Sequence, residues 1–409
     1  MLGLDKRTVE IVRQNLDPEK KGDPRGFLAD MHDMLWTCLG PGEALNEMSM
    51  AASQELYNEL RDYMAKSQPS EEVDLLLWVR HFVAIGTAKF LYGPQNPFEV
   101  EPELEKCFWD FDHGLGGLLM GIMPSLTAKK AYRGRERLAK AIQEYLEAGL
   151  HKTGSRIIQN RVQIAEQYNW TVDMTARCEL SFLFAGIVNT ATTVFWMLLQ
   201  VFSRPRLLQE IRNEIAAALD VSEEKFGEGH ISTSAIKDNC PILDAVFREC
   251  LRVGSENFST RLVKADTILA DKYFLRKDSV VQIAAGVIHS DPDIWGEDVD
   301  QFNHQRFLRQ QGGSKEQLKT HPAAFRAFGG GKTLCPGRLF ASNEILMFAA
   351  AMITAFDLEA PGGGLVTVPK KDDNIMPVHI LEPLTKDPVR VVVRTRPEAE
   401  EVGHWVVEL

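Results

Sequence analysis

Between Phe328 and Arg338 the chain reads Phe-Gly-Gly-Gly-Lys-Thr-Leu-Cys-Pro-Gly-Arg, and a long apolar run follows it. Three consecutive glycines end any regular element and leave a backbone free to turn sharply. The run after them predicts a helix over Pro336–Phe356. Together they set a single sulfur, Cys335, in a loop at a helix N-terminus, where the positive end of the dipole and unpaired N–H groups favour a thiolate. A thiolate so placed is a metal ligand. The pattern Phe328-x-x-Gly331-x-x-x-Cys335-x-Gly337 arises by chance in on the order of one in several hundred chains of this length. The glycines let the loop pass flat beneath a planar ligand. Phe328 excludes water beside the sulfur, and the N–H groups after Cys335 tune its donor strength. Gly331-Lys332-Thr333 imitates the end of a phosphate-binding loop, but the glycine required six residues before the lysine is Arg326, and no βαβ pattern surrounds it. Nucleotide-phosphate binding is therefore excluded.

The remainder of the chain decides what kind of body carries this loop. Its 409 residues, 44% apolar and 25% charged, suffice for one large or two medium globular domains. A net charge of −11 argues against a nucleic-acid partner. The six cysteines are scattered with no tight pairing, as in a reducing compartment. The first residues, Met-Leu-Gly-Leu-Asp-Lys-Arg, show no apolar signal or anchor. Leu180–Val201 carries no formal charge and is long enough to span a bilayer. Its interruption by Ser181, Asn189, Thr190, Thr192, Thr193 and Gln200 makes it instead the buried central helix of a large domain.

Residues 1–45 are mixed, with turns at 21–26 and 40–42. Helical periodicity covers Glu43 to Lys66, Glu71 to Leu91, Glu101 to Met123 and Thr127 to His151. It resumes over Asn169–Phe202, from Pro205 to Leu219, and over Ile231–Val253, with a polar loop at Ser222–Gly229. Short strands with turns at 270–272 and 276–278 are expected over Thr260–Ala285. Residues 286–325 read as irregular, and the tail Leu358–Val393 alternates turns with β-branched strands. The class is mainly α with minor β.

Glu249 and Arg252 stand three apart on a predicted helix and so share a face. Arg306 lies in the irregular region and offers a second guanidinium. A buried glutamate between two arginines would pin that long segment to the helix. In this order, Glu-x-x-Arg, the second arginine and the cysteine loop resemble the cytochrome P450 superfamily of haem-thiolate proteins.

The resemblance runs from about residue 45 to the C-terminus, leaving 1–45 as an N-terminal remnant and 46–409 as the haem-thiolate domain. It implies the cytochrome P450 fold, lacking here the usual anchor and first β region. It makes Cys335 the axial ligand of haem b and Glu249, Arg252 and Arg306 the structural lock. Phe328, Gly331, Lys332, Gly337 and Arg261 become cofactor-binding residues, with Arg261 and Lys332 toward the propionates. His304 replaces a common proline, and Thr333 a common basic residue.

The helix over the distal haem face departs further from the family pattern. The family's Ala/Gly-Gly-x-Asp/Glu-Thr matches Ala185-Gly186-Ile187-Val188-Asn189, followed by Thr190, so Val188 replaces the acid and Asn189 the threonine. Proton delivery then falls to Asn189, Thr190 or water. Asn-Thr followed by Phe195-Trp196 resembles the branch holding bile-acid sterol hydroxylases, prostacyclin synthase and many fungal members. Phe184, Ala185, Gly186 and Phe258 are the candidate substrate pocket.

The activity implied is oxygen insertion from O2 into a lipophilic small molecule (sterol, terpenoid, polyketide or fatty acid). Electrons would come from NADPH through NADPH–cytochrome P450 reductase, docked near Arg326, Lys332 and Arg338. The alternatives are a haem-thiolate isomerase or dehydratase of an oxygenated lipid, and an inactive haem-binding remnant. The expected state is a monomer, cytoplasmic as given and reticulum-associated in any anchored form.

Overall fold

Asp5 caps helix α1 (Lys6–Arg13) by accepting the Thr8 N–H at 2.7 Å, which satisfies one orphan donor of the first turn. Helices α2 (Phe27–Leu39) and α3 (Glu43–Met64) follow. Phe27, Met31, Met34, Cys38 and Leu39 of α2 join Ile157, Trp170 and Met174 in one buried cluster, so the segment 1–45 supplies core to the body that follows it. The computed structural model describes residues 1–15, 25–66, 70–308, 321–373, 380–384 and 387–409. The expected turn at 21–26 falls largely outside them, as does part of the tail.

Strand β1 (Ser70–Asp74) occupies what periodicity read as the start of a helix, and Asp74 explains the shift. Its carboxylate accepts the N–H groups of Leu76 and Leu77 at 3.0 and 3.4 Å, so helix α4 begins at Leu75 and runs to Tyr92. Next come α5 (Pro97–Val100), α6 (Glu103–His113), α7 (Leu115–Met120), α8 (Pro124–Thr127), α9 (Lys129–Glu147) and α10 (Arg156–Gln167). Helix α11 (Val172–Phe202) is the expected central helix, 31 residues long, with Thr171 as its cap. It is long and apolar enough to cross a membrane, as are α4 and the helix after Cys335, yet most of its apolar window lies inside the protein. Arg161 of α10 pins it through a buried ion pair with Glu179 at 2.8 Å.

Helix α12 (Pro205–Phe226) overruns the expected polar loop. The buried Ser222 hydroxyl donates to the Ala218 carbonyl, and the helix ends only at Gly227, where φ is +104°. The helix expected over Ile231–Val253 is three elements: β2 (His230–Ser232), α13 (Thr233–Asn239) and α14 (Pro241–Gly254), broken where Pro241 cannot continue α13. Strands β3 (Phe258–Leu262), β4 (Thr267–Leu269), β5 (Tyr273–Leu275) and β6 (Val280–Ala284) form two antiparallel pairs. Ala270 and Asp271 both take φ of +52°, the primed-turn geometry that closes β4 on β5. Short helices α15 (Ala285–His289) and α16 (Pro292–Trp295) relieve the region read as irregular.

Helix α17 (Arg338–Ala355) starts two residues later than expected, because Gly337 is its cap residue. Strands β7 (Phe356–Glu359) and β8 (Arg390–Thr395), helix α18 (Ala399–His404) and β9 (Val406–Glu408) complete the chain. The order β1-β8-β7 makes an antiparallel sheet, and β2 pairs with β9 in parallel. Two compact units result. The first holds Met1–Cys240, Pro336–Thr367 and Pro388–Leu409; the second holds Pro241–Cys335 and Val368–Asp387.

Candidate active site

In the second unit, Glu249 and Arg252 meet on α14 as their spacing requires. Arg252 forks onto both carboxylate oxygens, at 2.7 and 2.8 Å. Arg306 reaches the same carboxylate at 3.3 Å, and the Asn303 N–H donates to it at 3.0 Å. The three side chains are 0–3% exposed, so no water substitutes for any partner. Their remaining donors grip backbone. Arg252 bonds the carbonyls of His289 and Val299 at 2.7 and 2.9 Å, and Arg306 bonds those of Trp295 and Asp298. The three side chains are thus brought together, and their bonds tie the segment 289–306 to α14.

The cysteine loop belongs to the same unit. The Cys335 N–H donates to the Phe328 carbonyl at 3.0 Å and closes the loop on itself. Gly329 and Gly331 take φ of +75° and +64°, which explains the glycines by backbone conformation. Arg261 lies on β3 and donates to the Gly330 carbonyl at 3.2 Å and to the Thr333 hydroxyl at 2.7 Å. Thr333, where the family favours a base, thus serves as the anchor for Arg261. Lys332 is exposed and Arg326 half-buried. Phe258 is 39% exposed on β3, so it is not part of a packed core.

Cys335 and Cys178 are the half-buried cysteines; the other four are buried. Cys178 is on α11 with the Arg161 guanidinium 3.6 Å from its sulfur, and burial still pushes its thiol up. Only Cys335 combines accessibility with a glycine loop. That loop, bordered by the half-buried Phe328 and Leu334 and by the cations Arg261 and Lys332, fits a flat, dianionic metal macrocycle such as haem.

In the first unit, α11 separates the residues expected to act together. Ala185, Gly186 and Asn189 share its more open face, while Ile187, Val188 and Thr190 are buried. The Thr190 hydroxyl turns inward and donates to the Glu344 carboxylate of α17 at 3.3 Å. Of the two candidate proton carriers, Asn189 alone faces the open side. Gly186 also has a packing duty: a Cβ there would come within 3.2 Å of Thr87 on α4. Phe184 meets Phe111 edge to face at 6.3 Å.

Sequence reading missed Glu344 and His289. Glu344 gave a signal, being the one charged residue of α17 after Arg338. Its second oxygen has no hydrogen-bond partner among the described residues, and burial raises its pKa to about 8. A carboxyl with a raised folded-state pKa binds its proton more tightly folded than unfolded. Stability is then lost as pH rises from the unfolded value through about 8. Glu344→Gln is expected to remove that slope and to gain a few kcal/mol on wild type between pH 5 and pH 8. Urea unfolding at both values measures it, and equal slopes would refute a neutral Glu344.

The family model for Cytochrome P450 matches residues 122–380. Cytochrome P450 monooxygenase nodJ of Hypoxylon pulicicidum is 32% identical over 343 residues, covering 82% of this chain and 66% of the relative. Cholesterol 7-alpha-monooxygenase of Cricetulus griseus is 30% identical over 288 residues, covering 68% and 56%. The chain thus spans about two thirds or less of these relatives' own length. The structure of retinoic acid bound cyanobacterial CYP120A1 superposes with a TM-score of 0.69 at 20% identity, covering 90% of this chain and 79% of that one, which shows the fold.

Proposed function

From the premise that this chain belongs to the cytochrome P450 family, we propose that it is a haem-thiolate monooxygenase. It inserts one oxygen atom from O2 into a lipophilic small molecule, with electrons from NADPH through a reductase. The observation that carries this reading is the half-buried Cys335 in a self-closed glycine loop, anchored within the unit that holds the buried Glu249–Arg252–Arg306 network. Bound haem supplies the oxygen chemistry, driven by electron density from the thiolate.

The protein's own residues hold and shield that group. Cys335 would ligate the iron, and its loop fixes the sulfur's direction. Arg261 and Lys332 offer positive charge to the propionates, and Phe328 keeps water from the sulfur. On α11, Asn189 carries the amide that orients water or a proton donor, because Val188 has no proton to give and Thr190 is engaged with Glu344. The name of the relative Cholesterol 7-alpha-monooxygenase favours a sterol as substrate.

Incubation with haem, reductase, NADPH, isotopically labelled O2 and a panel of sterols and terpenoids tests the reading. Label in a hydroxylated product, strictly dependent on NADPH, is the expected result. Conversion of a lipid hydroperoxide without NADPH would replace it with the isomerase reading, which Val188 and Asn189 motivate.

A further inference from the structure

His289 closes α15 and is 3% exposed, and its imidazole has two distinct partners. The Arg326 N–H points at Nε2 at 2.8 Å, so Nε2 is the acceptor. Nδ1 must then carry the proton, and it faces the Ser255 carbonyl at 3.2 Å, just past α14. Burial pulls the imidazole down to about 4, and the neighbouring charges of Arg252 and Lys371 add to that, which keeps this tautomer neutral. The ring stacks on Phe325 at 5.9 Å and meets the edge of Trp295 at 6.1 Å. Its own backbone carbonyl is the one that Arg252 grips.

The bonds run on from this ring to the sulfur's residue. The Arg326 carbonyl accepts the Gly329 N–H at 2.8 Å, and the Phe328 carbonyl accepts the Cys335 N–H at 3.0 Å. Asn257, two residues past Ser255, donates to the Ala327 carbonyl at 3.1 Å. One residue therefore joins three places: its imidazole bridges the Ser255 carbonyl just past α14 and the Arg326 N–H at the entrance of the cysteine loop, and its backbone carbonyl holds the guanidinium of Arg252.

We propose that His289 is a positioning residue that transmits the geometry of the Glu249–Arg252–Arg306 network to the cysteine loop and so sets the bond between Cys335 and haem iron. This rests on the haem-thiolate reading above. The wild type separates the two: without a thiolate-type carbon-monoxide spectrum that reading fails, whatever His289 does.

Three substitutions divide the imidazole's duties. His289→Gln places an oxygen near the position of Nε2 and restores the bond from Arg326. His289→Asn reaches only toward Ser255, and His289→Phe keeps the stacking alone. Haem affinity is expected to fall roughly tenfold or more in the Asn and Phe variants, with their reduced carbon-monoxide spectra shifting to the neutral-thiol type. His289→Gln is expected to keep the thiolate type, as is Val299→Ala, which loosens the same buried cluster without touching the imidazole. Asn and Phe variants matching wild type would overturn the proposal. So would a Gln or Val299→Ala protein as damaged as they are.

Amide hydrogen exchange on wild-type protein gives an answer even if the variants do not fold. The Arg326, Gly329 and Cys335 amides are expected to open together at one rate. Exchange at Arg326 a hundredfold or more faster than at Cys335, about 2.7 kcal/mol of separate opening, would also overturn the coupling.

Discussion

Arg252→Ala is expected to destabilise the protein by about 3–5 kcal/mol and to leave it unable to retain haem. Exposed ion pairs do not behave in this way, being worth under about 1 kcal/mol. Here the glutamate side chain is 0% exposed and Arg252 only 2%. Truncation leaves the Glu249 carboxylate buried with one guanidinium at 3.3 Å, which cannot replace a bidentate fork. It also strands the carbonyls of His289 and Val299 away from water. Arg252→Lys is expected to recover only part of the loss, since an ammonium cannot serve the carboxylate and two carbonyls from a planar fork. Chemical unfolding of the three proteins measures the effect. A loss below about 1 kcal/mol for the alanine variant would mean that the network does not hold the second unit together.

The parts of this site that were legible in the sequence are those whose chemistry is local. A glycine loop around a cysteine, and a glutamate one helical turn from an arginine, carry their meaning in a few adjacent residues. Arg306 is legible because a buried glutamate can take a second guanidinium and the irregular segment after it offers one. His289 gave no such signal. Its partners are backbone groups 34 and 37 positions away, and any residue type supplies an N–H or a carbonyl. Ser70–Asp74 failed for a similar reason. Its Glu-Glu-Val-Asp run fits a helix start, but a strand 318 residues later claims it: Glu72 pairs with Arg390, and Val73 lies opposite Val391. Tertiary pairing overrode local preference.

Gly186 and Thr190 show the limit of reading motifs along a helix. Both were assigned to the ligand side because a family pattern places small and polar residues there. Periodicity says only that positions 185, 186 and 189 cluster on one face. Which neighbours meet each face is a property of α4 and α17, and those helices place Thr87 beside Gly186 and Glu344 beside Thr190.

Cys335→Ala has the largest expected effect of all, because it removes the sulfur on which the haem-thiolate reading rests. Cys178, the other half-buried cysteine, is bound up with Arg161 and its thiol is held neutral by burial. Alanine leaves the loop's closure intact, since the bond to the Phe328 carbonyl comes from the backbone N–H. The variant is therefore expected to fold, with stability near that of wild type, and to lose only the sulfur. The decisive measurement is the absorption spectrum of the reduced, carbon-monoxide-bound protein, recorded for wild type and Cys335→Ala side by side. A thiolate-type Soret shift in wild type that vanishes in the alanine protein is the predicted result. An unshifted wild-type spectrum, or a shift that survives the substitution, would contradict Cys335 as the iron ligand.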